Sequence, residues 1–361
     1  MTRLWIQWMS KSHRERVSAI IPARNEEVNI ARVVRSLANQ RGLREILVVD
    51  DQSADRTKEI LAALEVEIPR LRTLPVESLP EGWLGKTHAV AQGARAATGE
   101  WLLFTDADTE HLAGSLDELL QRAEDEGADL LSLSPGQETP TWWEKSVIPL
   151  VYVKLASLFH FEEVSDPQSP AAAANGQYVL VRRGIYERSG GHEAVKSEIL
   201  EDVELARRIK ALGGKLLFLP GAQWVRTRMY QSFREMWQGW TKNLYLLYGG
   251  NLSRMLATVA SLWLLDVFPV LAFMAVCVWV ALMRANGAAI LLAVSLFLLA
   301  LARQWKYGQV LAHLGFDPAL ANYQPIGAAL LGALVLNSVR AHRAAGNIEW
   351  KGRRYATKGK G

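Results

Sequence analysis

The sequence predicts an α/β fold with a mostly parallel sheet, followed by C-terminal membrane helices. From Val17 onward, short apolar strands alternate with amphipathic helices, as in a parallel sheet covered by helices. Charged residues recur throughout the first 250 residues, whereas Leu256 to Val339 contains long apolar runs. We therefore expect four regions: a basic and aromatic N-terminal segment at 1–16, an α/β domain at 17–250, membrane helices at 251–340 and a basic tail at 341–361.

The periodicity of the first half predicts the elements of the sheet in order. The expected strands are 17–22, 45–50, 100–106, 129–133 and 215–219, and the expected helices are 27–39, 55–64, 83–97, 115–126 and one that begins near Glu201. The stretch from Trp142 to Phe161 is apolar but contains Pro149, two lysines and a glutamate. It is either an interfacial helix or a buried core helix.

Composition excludes several classes of protein. The 361 residues carry a formal net charge of +4, and no basic stripe recurs in the α/β part, so we expect no nucleic-acid partner. The single cysteine, Cys277, lies in an apolar run and excludes a disulfide framework. The tail from Arg340 has an excess of six positive charges, which suits an anionic membrane face.

The last third contains two predicted membrane spans. Leu256 to Met283 contains Asp266 as its only charge, and Ala285 to Ala302 has none. A third run, Ile326 to Val339, has 14 residues. It would cover only about 21 Å of an apolar core of about 30 Å, so we expect a re-entrant or surface helix. Two crossings place the basic tail on the cytoplasmic face with the α/β domain, in a multi-pass protein of the inner membrane.

Acidic residues follow two predicted strands, where ligands bind in doubly wound sheets. Asp50 and Asp51 lie at the end of the second strand. The Asp51 carboxylate can accept hydrogen bonds from a nucleobase imide or from ribose hydroxyls. The alternative is a loop in which Ser53 or Asp55 caps the next helix. Because residues two apart in a strand share a face, Asp106 and Asp108 predict a Mg²⁺ or Mn²⁺ site that would bridge to a diphosphate.

Three further positions carry candidate chemistry. Lys86 follows two glycines and suits a phosphate contact, although a surface lysine explains it nearly as well. Asp202, beside Glu201, is a candidate general base. The alternative is that both acids are there because a helix N-terminus favours acidic residues. Arg228 and the helix that contains Trp240 are candidates to close over the donor phosphates. The alternative is that the tryptophans of this helix form an aromatic belt at the membrane interface.

The ordered set IIPARNEE, VVDDQSADRT, LFTDAD, NGQYVLVRR, LED and MWQGWTKN resembles the family 2 glycosyltransferases. Within that family the chain is most similar to the membrane-bound branch of hopene-associated and carotenoid glycosyltransferases, on the strength of GWLGKTHAVAQG, RTRMYQSFREMWQGWTKNLY and EWKGRRY. The resemblance implies a family A type fold, a nucleotide-sugar half with an acceptor half, and an inverting single displacement.

The resemblance also implies roles for residues at matching positions. Asp106 and Asp108 would hold ribose and metal, and Asp202 would be the base, with Glu201 as a second candidate catalytic residue. By position in the family, Pro22, Ala23, Glu26 and Asp51 would hold the nucleotide. The full set of residues that we expect to contact the nucleotide-sugar adds Asn25, Asp50, Lys86, Asp106, Gly176, Arg228 and Trp240. The expected partners are a nucleotide-sugar donor, a UDP-sugar in the first instance, a lipid-like acceptor with a hydroxyl or carboxyl group, and the membrane.

One departure from the family pattern narrows the expected reaction. Processive synthases carry Gln-x-x-Arg-Trp, whereas here only Trp240 of the run 236–240 matches. A single sugar transfer is therefore favoured over chain synthesis. Transfer to a polyprenyl phosphate is the alternative enzyme, and a catalytically silent nucleotide-binding membrane protein is the alternative of another class.

Overall fold

The computed structural model describes residues 15–283, 287–345, 347–350 and 353–356. They divide into two compact units. Unit 1 contains the residues up to Gly136 together with Phe159–Arg228, and unit 2 contains Gln137–Leu158 and the residues from Met229 onward. The predicted N-terminal segment lies almost entirely outside the described residues, and the predicted domain boundaries remain a prediction.

Unit 1 is built on a seven-stranded mixed sheet with the order β3-β2-β1-β4-β8-β6-β9. The first four of these strands are mutually parallel, and only β8 runs against its neighbours β4 and β6. The strands up to β10 are β1 Val17–Ala23, β2 Leu43–Asp50, β3 Leu71–Pro75, β4 Trp101–Phe104, β5 Thr109–His111, β6 Leu130–Ser134, β7 Gly136–Gln137, β8 Val179–Arg182, β9 Leu216–Pro220 and β10 Val225–Thr227. The mostly parallel sheet predicted from the alternating pattern is confirmed.

Helices cover this sheet because each presents an apolar stripe to it. In α1, for example, Ile30, Val33, Val34 and Leu37 are fully buried. The α-helices of unit 1 are α1 Ile30–Ala38, α2 Thr57–Glu67, α3 Gly85–Ala96, α4 Ser115–Asp125, α6 Phe161–Ser165, α7 Arg183–Arg188 and α8 Glu201–Ala211, where α5 is the helix Trp142–Leu158 of unit 2.

One predicted strand is shorter in the structure. The strand expected at 100–106 ends at Phe104, and Thr109 donates a backbone hydrogen bond to Asp106 across a turn. The argument that Asp106 and Asp108 share a face of an extended strand is therefore wrong, because both residues belong to this turn. β5 follows directly and pairs antiparallel with β10.

Unit 2 is helical apart from a hairpin in the tail. Its α-helices are α5, α9 Phe233–Leu247, α10 Leu252–Leu262, α11 Phe268–Met283, α12 Gly287–His313 and α13 Gln324–Arg340, and the hairpin pairs β11 Asn347–Trp350 with β12 Arg353–Ala356. Residues 143 and 146–152 of α5 are buried. Gly327 of α13 permits close packing on this helix, since a Cβ there would lie 2.0 Å from the Ser146 carbonyl oxygen.

Three helical segments of the described chain are long and apolar enough to cross a membrane: Leu252–Leu282, Gly287–His313 and Pro318–Arg343. The first contains the short π-helical segment Trp263–Val267 between α10 and α11. The third has 26 residues, so the expectation that this region is too short to span was wrong. The prediction counted only the residues of the apolar run and so underestimated the length of the helical segment, which continues on both sides of that run. Residues 284–286, where the second span was predicted to begin, lie outside the described chain.

Candidate active site

The carboxyl ends of β1 and β2 bring the first group of predicted residues together. Asp51 donates its backbone N–H to the Ala23 carbonyl at 2.7 Å, so the two strand ends are joined directly. Asp50 and Asp51 are each only 3% exposed. The Asp50 carboxylate accepts from the backbone N–H of Ser53 and lies 3.7 Å from the Lys58 ammonium. Acidic groups therefore sit at the strand ends, as the sequence predicts.

The loop after β1 is folded against the loop after β2. Asn25 has a left-handed backbone with φ of 55°, and its Oδ1 accepts from the backbone N–H of Ala54 at 2.8 Å. Glu26 donates its N–H to the Thr57 hydroxyl at 2.8 Å. Asp55 accepts from the N–H and the hydroxyl of Thr57, so its carboxylate serves the start of α2, as the helix-capping alternative predicts.

A charged cluster joins three distant parts of unit 1. The Lys86 Nζ, in the first turn of α3, lies 2.8 Å from Asp106 Oδ1 and 2.9 Å from Glu201 Oε1. Asp202 follows Glu201 in the first turn of α8. These residues line one small cleft together with Pro22, Gly176 and His192. Three carboxylates face one ammonium group, so the cluster has an excess of negative charge.

The Asp202 carboxylate is held by backbone groups on both of its oxygens. Gly176 donates to Oδ2 at 2.7 Å, and Val203 donates to Oδ1 at 2.8 Å. Burial and then the neighbouring Glu201 carboxylate raise the pKa of Asp202 to about 7, against the opposing effect of Lys86 and these two hydrogen bonds. A carboxylate with a pKa near neutrality is suited to accept and release a proton under ordinary conditions.

Lys86 stays protonated in this setting. Burial alone would lower its pKa, but the carboxylates of Asp106, Glu201 and Asp202 outweigh it and raise the pKa well above the usual value. Gly176 has no side chain where the cluster is tightest: a Cβ there would lie 2.8 Å from the Lys86 Nζ and 3.4 Å from Asp202 Oδ2. Glycine at this position therefore allows the backbone N–H to reach Asp202 beside the ammonium group.

The turn 106–108 places the second predicted aspartate beside the end of β10. The Asp108 carbonyl accepts a hydrogen bond from the backbone N–H of Arg228 at 3.3 Å, so Arg228 lies beside this turn. Within the described residues, no three acidic, histidine or cysteine side chains form a metal-binding group by themselves. A cation at Asp106 and Asp108 would therefore take its remaining ligands from a bound diphosphate and water, which is a common arrangement for Mg²⁺.

His192 lines the cleft although no sequence argument pointed to it. It follows the paired glycines 190 and 191, and its backbone N–H and Nδ1 both contact the Tyr186 hydroxyl, at 3.2 Å and 3.0 Å. Burial, reinforced by Lys86, lowers the pKa of His192 to about 3, so the ring is neutral. A lone histidine in a short turn carries no spacing signal, which is why the sequence did not mark it.

Trp240 belongs to unit 2 rather than to this cluster. It is 3% exposed and packs edge-on against Tyr230, with ring centroids 6.3 Å apart. Its indole Nε1 is buried and has no hydrogen-bond acceptor within the described part of the chain. A role in donor binding remains a prediction.

Comparison with known proteins places these features in context. Residues 18–190 match the family model described as Glycosyl transferase family 2. The chain is 27% identical over 251 residues to the 4,4'-diaponeurosporenoate glycosyltransferase of Staphylococcus aureus (strain USA300), which covers 69% of this chain and 65% of that protein. It is 28% identical over 231 residues to the protein of the same name from Staphylococcus haemolyticus (strain JCSC1435), which covers 63% and 60%. The matches thus span less than two thirds of these relatives.

Among solved structures, the chain resembles mannosyltransferase PcManGT from Pyrobaculum calidifontis, determined in complex with GDP-Man and Mn²⁺. The TM-score is 0.52 at 19% identity, over 91% of this chain and 94% of that one. This similarity shows the fold, which has a mixed α/β core of the glycosyltransferase family A type.

Proposed function

With residues 18–190 forming a family 2 glycosyltransferase domain, we propose that the protein transfers one sugar, with inversion, from a nucleotide-sugar to a lipid-like acceptor. The observation that carries this proposal is the half-buried Asp202, which has a raised pKa and lies in a cleft with Lys86 and Asp106. Transfer to a hydroxyl requires a base that removes the acceptor proton, and a base is most effective when its pKa is near the working pH.

Asp202 acts as this base. The acceptor oxygen attacks the anomeric carbon, its proton passes to the Asp202 carboxylate, and the bond to the nucleoside diphosphate breaks with the electron pair leaving on the diphosphate. The N–H groups of Gly176 and Val203 fix the carboxylate in one orientation. Burial and the Glu201 carboxylate keep the pKa of Asp202 high, and Lys86 offsets part of the negative charge of the cluster.

The donor is bound at the ends of β1 and β2, and we propose a UDP-sugar. The buried Asp51 carboxylate, next to Pro22 and Ala23, contacts the nucleobase or ribose. Asp106 and Asp108 would hold a divalent cation, Mg²⁺ or Mn²⁺, which would supply positive charge to the diphosphate leaving group. Two facts support this: the Asp106 carboxylate lines the cleft and already faces an ammonium group, and the similar mannosyltransferase was solved with GDP-Man and Mn²⁺.

The acceptor is an apolar molecule with one hydroxyl or carboxyl group. Three helical segments of unit 2 are suited to a membrane, where such acceptors are dissolved. The relatives are named for 4,4'-diaponeurosporenoate, a carboxylate. We propose that the catalytic domain lies on the cytoplasmic face of the inner membrane. The positive charge of the tail favours the same face, which requires an even number of crossings, so one of the three segments would not span.

A reconstitution with defined lipids tests the proposal. The purified full chain in lipid nanodiscs is incubated with Mg²⁺, one of several UDP- or GDP-sugars, and oleyl alcohol, oleic acid or a polyprenyl phosphate. Mass spectrometry of the lipid extract should find a single added sugar on the alcohol or the acid. The product on the alcohol should disappear with Asp202→Asn, whereas transfer to the acid, whose oxygen is already ionised, should fall much less. Both products should persist with Glu204→Gln, a matched change on the same helix. Products with several sugars, or transfer to the polyprenyl phosphate alone, would contradict the proposal.

A further inference from the structure

Unit 2 contains a second cluster of charges that the proposed reaction does not use. Asp266 Oδ1 accepts from Arg303 Nη2 at 2.6 Å, from Arg303 Nε at 3.1 Å and from Gln324 Nε2 at 3.0 Å. These three residues come one each from the three segments suited to a membrane. The Asp266 side chain is only 4% exposed, so the carboxylate is enclosed by its partners.

A second cation, Lys154 of α5, interacts electrostatically with this cluster. The charge of Lys154 interacts with those of both Asp266 and Arg303. Within the part of the chain that the structure describes, the Lys154 ammonium forms no hydrogen bond or ion pair, although the side chain is partly buried. Desolvation lowers the pKa of Lys154, Arg303 lowers it further, and Asp266 raises it.

The cluster therefore has two cations and one carboxylate in an apolar part of the chain. Asp266 is neutralised by Arg303, which leaves one positive charge without a counterion. A partly buried charge is costly unless it is paired. The Arg303 side chain is still 34% exposed, so the positive side of the cluster is open to a ligand.

The local backbone also sets this place apart. Asp266 lies in the π-helical segment Trp263–Val267, and such segments occur frequently at functional sites. Ionisable residues inside membrane helices likewise mark functional sites more often than structural ones. The sequence had marked Asp266 only as the single charge in an apolar run.

We propose that Lys154 and Arg303 form a binding site for the anionic headgroup, carboxylate or phosphate, of a membrane amphiphile. Asp266 and Gln324 hold Arg303 in place, and Lys154 supplies the unpaired charge that the headgroup neutralises. The apolar surface of the surrounding helices is compatible with an acyl chain, which a free anion lacks. The site is independent of the proposed sugar transfer, because no residue of the Lys86 cluster takes part.

Native mass spectrometry of the purified full chain in detergent tests this site without any donor. The probes are oleate against oleyl alcohol, phosphatidylglycerol against phosphatidylcholine, and acetate as a soluble anion. The unchanged protein should retain the anionic member of each lipid pair. Lys154→Met should weaken that retention by about tenfold, since one half-buried ion pair is lost. Lys154→Arg, which keeps the charge, should restore it.

Two further variants separate the site from general charge effects. Lys306→Met removes an exposed positive charge from the same helix as Arg303 and should leave retention unchanged. Asp266→Asn keeps an oxygen acceptor but raises the excess positive charge, so it should strengthen retention severalfold. Preference for oleate would identify a single-chain acid as the ligand, and preference for phosphatidylglycerol a phospholipid. Equal retention by Lys154→Met and Lys306→Met, or displacement by acetate as efficient as by oleate, would overturn the proposal.

Discussion

The two charged clusters of this protein are built with opposite excess charge. In unit 1, the carboxylates of Asp106, Glu201 and Asp202 surround one lysine, whereas in unit 2 two cations face the single carboxylate of Asp266. The first arrangement raises the pKa of Asp202 and favours a bound cation. The second pairs its carboxylate with Arg303 and leaves a positive charge for an anion. On the proposals made here, the sign of the unpaired charge, more than the number of ion pairs, determines which kind of ion we expect each cluster to bind.

The largest expected effect tests the excess of negative charge in unit 1. Removal of divalent metal with EDTA should lower turnover by at least about a hundredfold, because the cation would stabilise the charge on the leaving diphosphate by several kcal/mol. Added Mg²⁺ or Mn²⁺ should restore the rate. Asp108→Asn should raise the metal concentration needed for half-maximal turnover. Undiminished turnover in EDTA would show that no divalent metal is required and that Lys86 alone neutralises the charge of the leaving diphosphate.

A change at Gly176 tests the geometry of the same cluster. Gly176→Ala introduces a Cβ that would lie 2.8 Å from the Lys86 Nζ, so the ammonium must move. We expect turnover to fall tenfold to about a hundredfold, as displacements of about 1 Å in active sites do. Gly184→Ala is the control, since the nearest atom to its Cβ would be 3.8 Å away. Equal activity of the two variants would contradict the account of this cluster.

The pH dependence of turnover gives a smaller effect. Asp202 is active as a base only when deprotonated, so the rate of the unchanged protein should fall as the pH falls below about 7. Because the Glu201 carboxylate raises the pKa of Asp202, Glu201→Gln should move this fall in rate to lower pH. Glu204→Gln should leave the pH of the fall unchanged. A fall at the same pH in both variants would show that Glu201 does not affect the pKa of the base.

Local patterns in the sequence predicted much of unit 1. The strands at Val17 and Leu43 were recognisable as short apolar runs, because both faces of a helix-covered parallel sheet are buried, and their helices were recognisable by a period of 3.6 residues. The strands at Leu71, Thr109, Gly136, Val179 and Val225 were not predicted. They have two to five residues each and are fixed by pairing with other segments, which no local period reveals.

The candidate site was predicted unevenly for the same reason. Acids at the strand ends were visible in the sequence, whereas the approach of Lys86 to Glu201 joins residues more than a hundred positions apart. The interaction of Lys154 with Asp266 and Arg303 is equally remote in sequence. Charges that are this far apart in sequence are brought together only by tertiary packing. The net charge of each cluster could therefore not be predicted from the sequence.

The central claim, that Asp202 removes the acceptor proton, is tested most directly by comparing two acceptors. The rates of the unchanged protein, Asp202→Asn and Glu204→Gln are measured with oleyl alcohol and with a polyprenyl phosphate, whose oxygen is already ionised. Asp202→Asn should lower transfer to the alcohol by roughly 10² to 10⁴. Any residual transfer to the phosphate should fall much less, and Glu204→Gln should match the unchanged protein. Equal losses with both acceptors, or no loss with the alcohol, would contradict the role of Asp202 as the base.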